Sequence, residues 1–512
     1  MSIALETLDA EALREIVRAQ QSKLDAQSTE IDNLKLLVQK LKQMHFGQKS
    51  ERLERDIHQL ELRLEDLEAS RAATATTEEE AEEPLAPASA AAHPRPARKP
   101  LPESLPRIEK RIEPQQTQCP DCGGALRNLG EDISEILDYV PGHFEVIRIV
   151  RPKRSCACCS RIVQAPAPSR PIERGLAGPG LLARILVNKY QHHLPLYRQT
   201  EIFTREGMEF NRSTLAAWVG GASATLAPLL EALRRHVMAA PNLHADDTPV
   251  PVLAPGQGKT KTGRLWTYVR DGRPAADTAA PAVYFAYSPD RKGEHPQQHL
   301  ASYTGVLQAD AYAGFNEIYN NRAIRPAACW AHVRRKFMDL HKAHASPLAR
   351  EALERIGKLY AIEESIRGQS PEQRRLARQS DAVPILESLH RWLLDKQTQV
   401  SKKSEIFKAI TYALKLWPAL LRYTELGHVE IDNNAAERAL RTVALGRKNY
   451  LFAGADCGGH RAAAIYSLIG SAKLNDIDPE SYLRHVLDIL PDHPINRIDD
   501  LLPWKIQLPT QS

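Results

Sequence analysis

Three acidic positions stand out because of what surrounds them. Asp246 and Asp247 interrupt an apolar, β-branched run, Leu243-His244-Ala245-Asp246-Asp247-Thr248-Pro249-Val250-Pro251-Val252-Leu253. A second apolar run, Val306-Leu307-Gln308-Ala309, ends in Asp310, and Glu437 lies in Ile431-Asp432-Asn433-Asn434-Ala435-Ala436-Glu437-Arg438-Ala439-Leu440-Arg441, which reads as a helix. The two apolar runs read as buried strands, and burying an ionised carboxylate is costly unless something cationic meets it. Two divalent ions about 3.5–4 Å apart meet that need and suit in-line displacement at phosphorus. Hard Mg²⁺ or Mn²⁺ takes carboxylate oxygens and keeps several waters, so a few acids suffice without a His or Cys cage. Asp246, Asp310 and Glu437 are therefore the candidate catalytic and metal-binding residues, with Asp247 the neighbouring alternative to Asp246.

On the predicted helix Asn433, Glu437 and Arg441 recur at i, i+4 and i+8, on one face, with Arg438 one step round. A carboxylate flanked by amide and guanidinium groups suits a site where DNA phosphates approach a metal. Taken singly, each acid has a plainer reading: a strand-end or turn residue, a cap, or an exposed helix charge paired with Arg441. Their joint occurrence on three elements favours the shared site. A different chemistry uses Cys119-Pro120-Asp121-Cys122 and Cys156-Ala157-Cys158-Cys159. Two Cys-x-x-Cys pairs, 119/122 and 156/159, let four thiolates reach one tetrahedral Zn²⁺, with Cys158 as a spare thiol. Arg148, Arg151, Lys153, Arg154 and Arg161 make this module basic and point to phosphate contact.

The elements that must position these groups follow from pattern. Over residues 1–70, Val17, Leu24, Ile31 and Val38 recur every seven residues with Leu13, Leu34 and Leu41 on the complementary seam, which predicts a coiled coil. Residues 71–106 are first acidic, then rich in Ala and Pro, then basic, the composition of a disordered linker. A zinc ribbon occupies 107–170. Residues 171–240 read as helices over Gly180 to Tyr190, Leu196 to Glu206 and Arg212 to Val219, a helix-turn-helix pattern whose second helix could enter a major groove. From 241 to 455 the signals are three strands (Leu243 to Leu253, Arg264 to Arg270, Ala282 to Ser288), then alternating helices and strands, with an all-α insertion over about 346–423. Residues 456–512 read as a loop and closing helices.

Composition bounds the partners. The 512-residue chain carries a formal net charge of +5, which permits nucleic-acid binding without demanding it. No run of about eighteen uncharged apolar residues predicts a membrane span, and the N-terminal residues lack a secretory pattern. Seven cysteines, five of them between 119 and 159, suggest a metal site in a reducing cytosol rather than disulfides. The expected location is the cytoplasm.

Longer strings sharpen this reading. His244-Ala245-Asp246-Asp247-Thr248-Pro249-Val250, Gln308-Ala309-Asp310-Ala311-Tyr312-Ala313-Gly314-Phe315, Ala328-Cys329-Trp330-Ala331-His332-Val333-Arg334-Arg335-Lys336-Phe337 and Ile431 to Arg441 resemble the transposases of the insertion-sequence-66 family. The likeness extends from Phe46-Gly47-Gln48-Lys49-Ser50-Glu51 to Tyr466-Ser467-Leu468-Ile469-Gly470-Ser471-Ala472-Lys473-Leu474-Asn475 and Trp504. It implies a multidomain α+β chain: coiled coil, zinc ribbon, helix-turn-helix and a ribonuclease-H-like catalytic domain with an all-α insertion. It also implies that Asp246, Asp310 and Glu437 form an Asp-Asp-Glu triad, although the family usually has Glu where this chain has Asp247. The implied reaction is hydrolysis at the element's ends to free a 3′ hydroxyl, then attack of that hydroxyl on a target phosphodiester. His332, Arg334, Arg335 and Lys336 would then lie beside double-stranded DNA, with Arg438 and Arg441 nearby and Arg447 and Lys448 as further candidates. A homo-oligomer and small accessory transposition proteins are the other implied partners. Two rivals predict other things: a DNA-binding regulator would be expected to lose a triad acid, and a two-carboxylate glycosidase needs neither zinc ribbon nor divalent metal.

Overall fold

The computed structural model describes residues 101–508 except 104, 115–117, 141, 255–259, 311, 321–322 and 450–451, together with positions 18, 26, 30–32, 34 and 68. Apart from those isolated positions, the coiled coil expected over 1–70 lies outside the described residues, as does nearly all of the linker expected over 71–106.

The first sheet is built on a long antiparallel hairpin of β2 (Leu126–Val140) and β3 (His143–Cys156), with β1 (Arg107–Arg111) parallel to β3 and the short β4 (Ile162–Gln164) antiparallel to it. Gly142 closes the hairpin at φ +100°, where a side chain is strained. The cysteine end of β2 is mostly exposed, whereas Leu137, Tyr139, Phe144 and Val146 at the other end are buried. That buried end rests on helices α1 (Pro179–Tyr190), α2 (Leu196–Arg205), α3 (Arg212–Thr225) and α4 (Ala227–Met238). Edge-on pairs run from Tyr139 to Phe144 (centroids 5.3 Å apart), Phe203 (5.4 Å), Phe210 (5.8 Å) and Trp218 (5.3 Å), so hairpin and helices share one core. Buried Asp138 accepts the Leu181 N–H at 2.8 Å, supplying the cap that Gly178 cannot give α1.

The three helices expected over Gly180 to Tyr190, Leu196 to Glu206 and Arg212 to Val219 are present as α1, α2 and α3. No residue of α3 is fully exposed, and Leu215, Ala216, Trp218, Val219 and Ala222 are buried. Its apolar residues recur too often for one solvent-facing stripe, a signal present in the sequence.

The second sheet has the order β7-β6-β5-β8-β9, made of β5 (Asn242–Leu253), β6 (Thr260–Arg270), β7 (Ala282–Ser288), β8 (Gly305–Gln308) and β9 (Ile324–Ala327). The first three are antiparallel neighbours; β8 runs parallel to β5, and β9 parallel to β8. Between β7 and β8 lies the short helix α5 (Glu294–His299). After β9 come the basic helix α6 (Trp330–His344) and then α7 (Pro347–Ser365), α8 (Pro371–Ala377), α9 (Val383–Gln399), α10 (Glu405–Lys415) and α11 (Trp417–Glu425), which gather around a second core. The chain returns to the sheet through α12 (Asn434–Gly446), α13 (Asp456–Leu474) and α14 (Pro479–Ile489). Ser467 and Ser471 of α13, one turn apart, accept the Phe285 and Val283 N–H groups at 2.8 and 3.0 Å and so close the outer edge of β7. Among the described residues no single helix is long and apolar enough to cross a membrane.

Candidate active site and metal centre

The register of the central strands brings two of the predicted acids level. His244 of β5 stands beside Gln308 of β8. Asp246 and Asp310 each follow two residues later, and two residues return a strand to the same face. Asp310 lies just beyond the end of β8, in the loop rather than on the strand as the apolar run suggested. Glu437 is in the first turn of α12. Asn433, the residue before that helix, is completely buried and fastens it to β5. Its side-chain amide donates to the Ala245 carbonyl at 2.9 Å, its Oδ1 lies 3.2 Å from His244 Nδ1, and its N–H donates to Cys329 Sγ at 3.2 Å. The tie falls one residue before Asp246, which fixes where Glu437 enters relative to the strand.

The environments of Asp246 and Asp247 differ sharply. Asp247, its side chain 1 % exposed, receives Arg264 Nη1 at 2.9 Å and Arg291 Nη2 at 2.7 Å. Asp246 has no cationic partner within 4 Å among the described residues; it accepts the Asp247 N–H at 2.7 Å. Burial pushes its carboxyl up to about 7; that N–H pulls the other way, and the charges of Asp310, Asp247 and Glu437 add to the rise. Asp310 accepts the Tyr312 N–H at 3.1 Å and has Arg291 Nη2 at 3.8 Å. The Arg291 guanidinium lies 4.1 Å from the centre of the Tyr312 ring, whose hydroxyl donates to the Arg291 carbonyl. Arg291, in a loop after β7, thus links Asp247 to Asp310, and no periodicity or motif marks it in the sequence.

Glu437 meets Arg335, whose Nη2 reaches both carboxylate oxygens at 3.0 and 3.2 Å, and His332 Nε2 at 3.6 Å. The ionic partner of Glu437 is thus on α6 and is not Arg441, the partner in the plainer reading, and the face expected to carry Asn433, Glu437 and Arg441 is buried at one end and open at the other. Asn433 precedes the helix and is buried, while Arg441 is exposed. Arg335 and Lys336 line a cleft of about 480 Å³ with Asp310 and His332; Lys336 sits 4.4 Å from the centre of the Tyr412 ring. Arg334, Arg335 and Arg438 line a second cleft of about 820 Å³ on the other side of α6. Arg447 donates to the Pro249 carbonyl at 2.7 Å and so ties the end of α12 to β5.

The donor set fits divalent cations: a buried carboxylate lacking a positive partner sits within electrostatic range of two more. Ligand oxygens of the three acids are not all within 4.8 Å of one another. Two ions 3.5–4 Å apart, each with oxygens at about 2.1 Å, span acids up to about 8 Å apart.

The four predicted zinc ligands do converge. The sulfurs of Cys119, Cys122, Cys156 and Cys159 lie within 4.8 Å of one another, with Cys119 to Cys159 at 3.2 Å and Cys122 to Cys156 at 3.4 Å. The Cys159 N–H is the largest influence on Cys156 and helps lower its thiol to about 6, toward the thiolate that zinc binds. This cluster fits structural zinc. Cys158 lies outside the four, yet a Cβ at Gly124 would fall 2.7 Å from its sulfur and 3.2 Å from that of Cys156, so the turn needs glycine. Most bases of the module are already engaged. Lys153 and Arg151 approach Asp132 at 2.5 and 3.6 Å, Arg154 pairs with Glu113 at 2.5 Å, and Arg161 pairs with Asp121. Such exposed pairs are weak enough to exchange for phosphate.

Four family models match the chain. They are described as Transposase IS66 family (residues 174–461), zinc-finger binding domain of transposase IS66 (116–160), IS66 C-terminal element (467–504) and Transposase C of IS166 homeodomain (33–109). Relatives from Sinorhizobium fredii cover most of it. Uncharacterized protein y4hP is 43% identical over 494 residues, 92% of this chain and 88% of its own length. Uncharacterized protein y4jD is 40% identical over 413 residues, 79% and 81% of the two chains. Uncharacterized protein y4qI is 37% identical over 493 residues, 93% and 89%.

Proposed function

Because this chain belongs to the IS66 transposase family, we propose that it binds the ends of an insertion sequence and catalyses metal-dependent DNA cleavage and strand transfer. The observation that carries this reading is the parallel register of His244 and Gln308, each two residues before an acid, Asp246 on β5 and Asp310 just beyond β8, with the helix of Glu437 fastened to β5 at Ala245. The sheet order, three antiparallel strands followed by two parallel ones, supports a ribonuclease-H-like domain over 241–455 with the helices of about 346–423 as its insertion. Asp246, Asp310 and Glu437 would hold Mg²⁺ or Mn²⁺, which activates the attacking oxygen and stabilises the leaving one. Asp247 holds Arg264 and Arg291 in place instead of ligating metal. Arg335, paired with Glu437 across the mouth of the site, would turn to DNA phosphate as the duplex enters, with Arg334 and Lys336 on the same helix and Arg438 and Arg441 on α12 as further contacts. A water and later a 3′ hydroxyl are the nucleophiles, so no protein nucleophile is required.

The test is 3′-end cleavage and strand transfer on a labelled element-end duplex with Mg²⁺ or Mn²⁺. Asp246→Asn, Asp310→Asn and Glu437→Gln are each expected to abolish product while retaining duplex binding, and Asp247→Asn to weaken it. A wild-type chain that binds the ends but never cuts them, with accessory proteins supplied, would favour the regulator. Holding two ends requires an oligomer. Deleting residues 1–70 is expected to lower the mass seen by light scattering, and an unchanged mass would remove the coiled coil from that role.

A further inference from the structure

We propose that the cleft of about 820 Å³ between α6, α7 and the start of α12 receives one unstacked nucleotide of the bound DNA. The inference rests on the transposase reading and adds to it a site for a base. Location is the first argument. Arg335 both lines the cleft and contacts Glu437, and Arg438 follows Glu437 directly. DNA whose backbone reaches Glu437 therefore passes the cleft mouth.

The distribution of charge is the second. At the rim, Arg334 and Arg438 are exposed and make no ion pair among the described residues, and Arg367 only approaches Glu430 at 4.0 Å. Deeper in, Glu363 and Glu430 both receive Arg374, at 3.2 and 2.7 Å, and Asp271 receives Arg273 at 2.8 Å, whereas the lining acids Glu364 and Asp432 make no ion pair among the described residues. A phosphate is thus attracted at the mouth by Arg334 and Arg438, and the unpaired Asp432 carboxylate below it is left to accept from a base.

The floor offers hydrogen-bonding groups without a full set of partners. The Tyr360 hydroxyl is buried against the Asp432 carboxylate but forms no well-shaped hydrogen bond, and the buried Nε of Arg374 also lacks an acceptor. Buried donors of this kind are costly when left unpaired. Asp432 is held from one side by the Asn434 N–H and side-chain amide, at 3.1 and 2.8 Å. An acceptor carboxylate beside a donor hydroxyl complements a base edge with an exocyclic amine next to a ring nitrogen, as in adenine or cytosine; thymine presents the reverse order. Gly357 of α7 borders this space, and an added Cβ there would meet nothing within 4 Å. A volume of this size lies in the range of about 300–1,000 Å³ typical of small-ligand sites.

The experiment uses the full chain and an element-end duplex carrying 2-aminopurine in turn at each of the terminal positions of both strands, with duplex binding followed by anisotropy and cutting followed on the same DNA. Wild type is expected to raise the fluorescence severalfold at one position. Gly357→Phe, which fills the cleft from an open helical position, is expected to abolish that rise without weakening duplex binding. Tyr360→Phe, which deletes a single hydroxyl, is expected to reduce it and provides a second reading should the larger substitution unfold the chain. Cutting without a fluorescence change at any position, or variants that respond like wild type, would overturn the cleft assignment and leave the transposase reading standing. Failure to bind the duplex at all would overturn both.

Discussion

Asp246 and Asp247 are adjacent in the chain and point to opposite faces of one strand, and their substitution should have opposite effects. Asp246 titrates near 7 in the fold, against an unfolded value of about 3.9. Between those values the folded chain binds more protons than the unfolded one, so stability falls as pH rises from 4 to 7 and stays lowered above it. Without divalent metal, Asp246→Asn is expected to stabilise the protein at pH 8 by roughly 2–4 kcal/mol and to do little at pH 4; melting curves at both values measure this. Mg²⁺ should stabilise wild type more than Asp246→Asn, and more at pH 8 than at pH 5. Asp247→Asn strands two partly buried guanidinium groups and should destabilise at pH 8 by about 1–3 kcal/mol, after allowance for the solvent that reaches Arg291. A destabilised Asp246→Asn beside an indifferent Asp247→Asn would exchange the roles assigned to the two.

Elements are placed by a few buried ties, and these too can be tested. Asn433 joins α12 to β5 and to Cys329. Asn433→Leu fills a similar volume but leaves the Ala245 carbonyl unsatisfied. It should cost about 1–3 kcal/mol and remove DNA cleavage while duplex affinity persists. In the first sheet the cysteine end has little apolar burial, whereas the opposite end is anchored by Leu137, Tyr139 and Phe144. Chelating zinc, or Cys119→Ser, is therefore expected to expose amide hydrogens of residues 119–132 and 151–164 to exchange while leaving 137–149 protected. Uniform loss across the hairpin would mean that zinc, rather than the aromatic cluster, holds the base.

On the scale of the whole molecule, two cores meet at the candidate active site. The helices between Pro347 and Glu425 enclose Arg374 and Arg378, 1 % and 0 % exposed, against Glu363. Arg374 also binds Glu430, whose carbonyl accepts the Gln308 side-chain amide at 2.7 Å. The helical unit is thereby joined to β8 just before Asp310. Glu363→Gln should destabilise by about 3–5 kcal/mol, the scale of a broken buried ion pair, and should lower cleavage through misplacement of Asp310. Denaturant unfolding and cleavage assays together check this; a stable, fully active variant would uncouple the two cores.

The sequence by itself determined the strands around Asp246 and Asp310, the helix of Glu437, the helical run after residue 346 and the cysteine pairs, because period, turn chemistry and ligand spacing are local properties. Ser467 and Ser471 were visible only as part of a resemblance, and their closure of the β7 edge emerged from packing. The tertiary structure alone decided which acid is left without a cation, that Arg335 rather than Arg441 meets Glu437, and that Arg291 and Asn433 tie the elements around the candidate site together. Each of these depends on contacts between residues far apart in the chain, where burial and charge are set by what packs opposite and no periodicity of one segment encodes its partner.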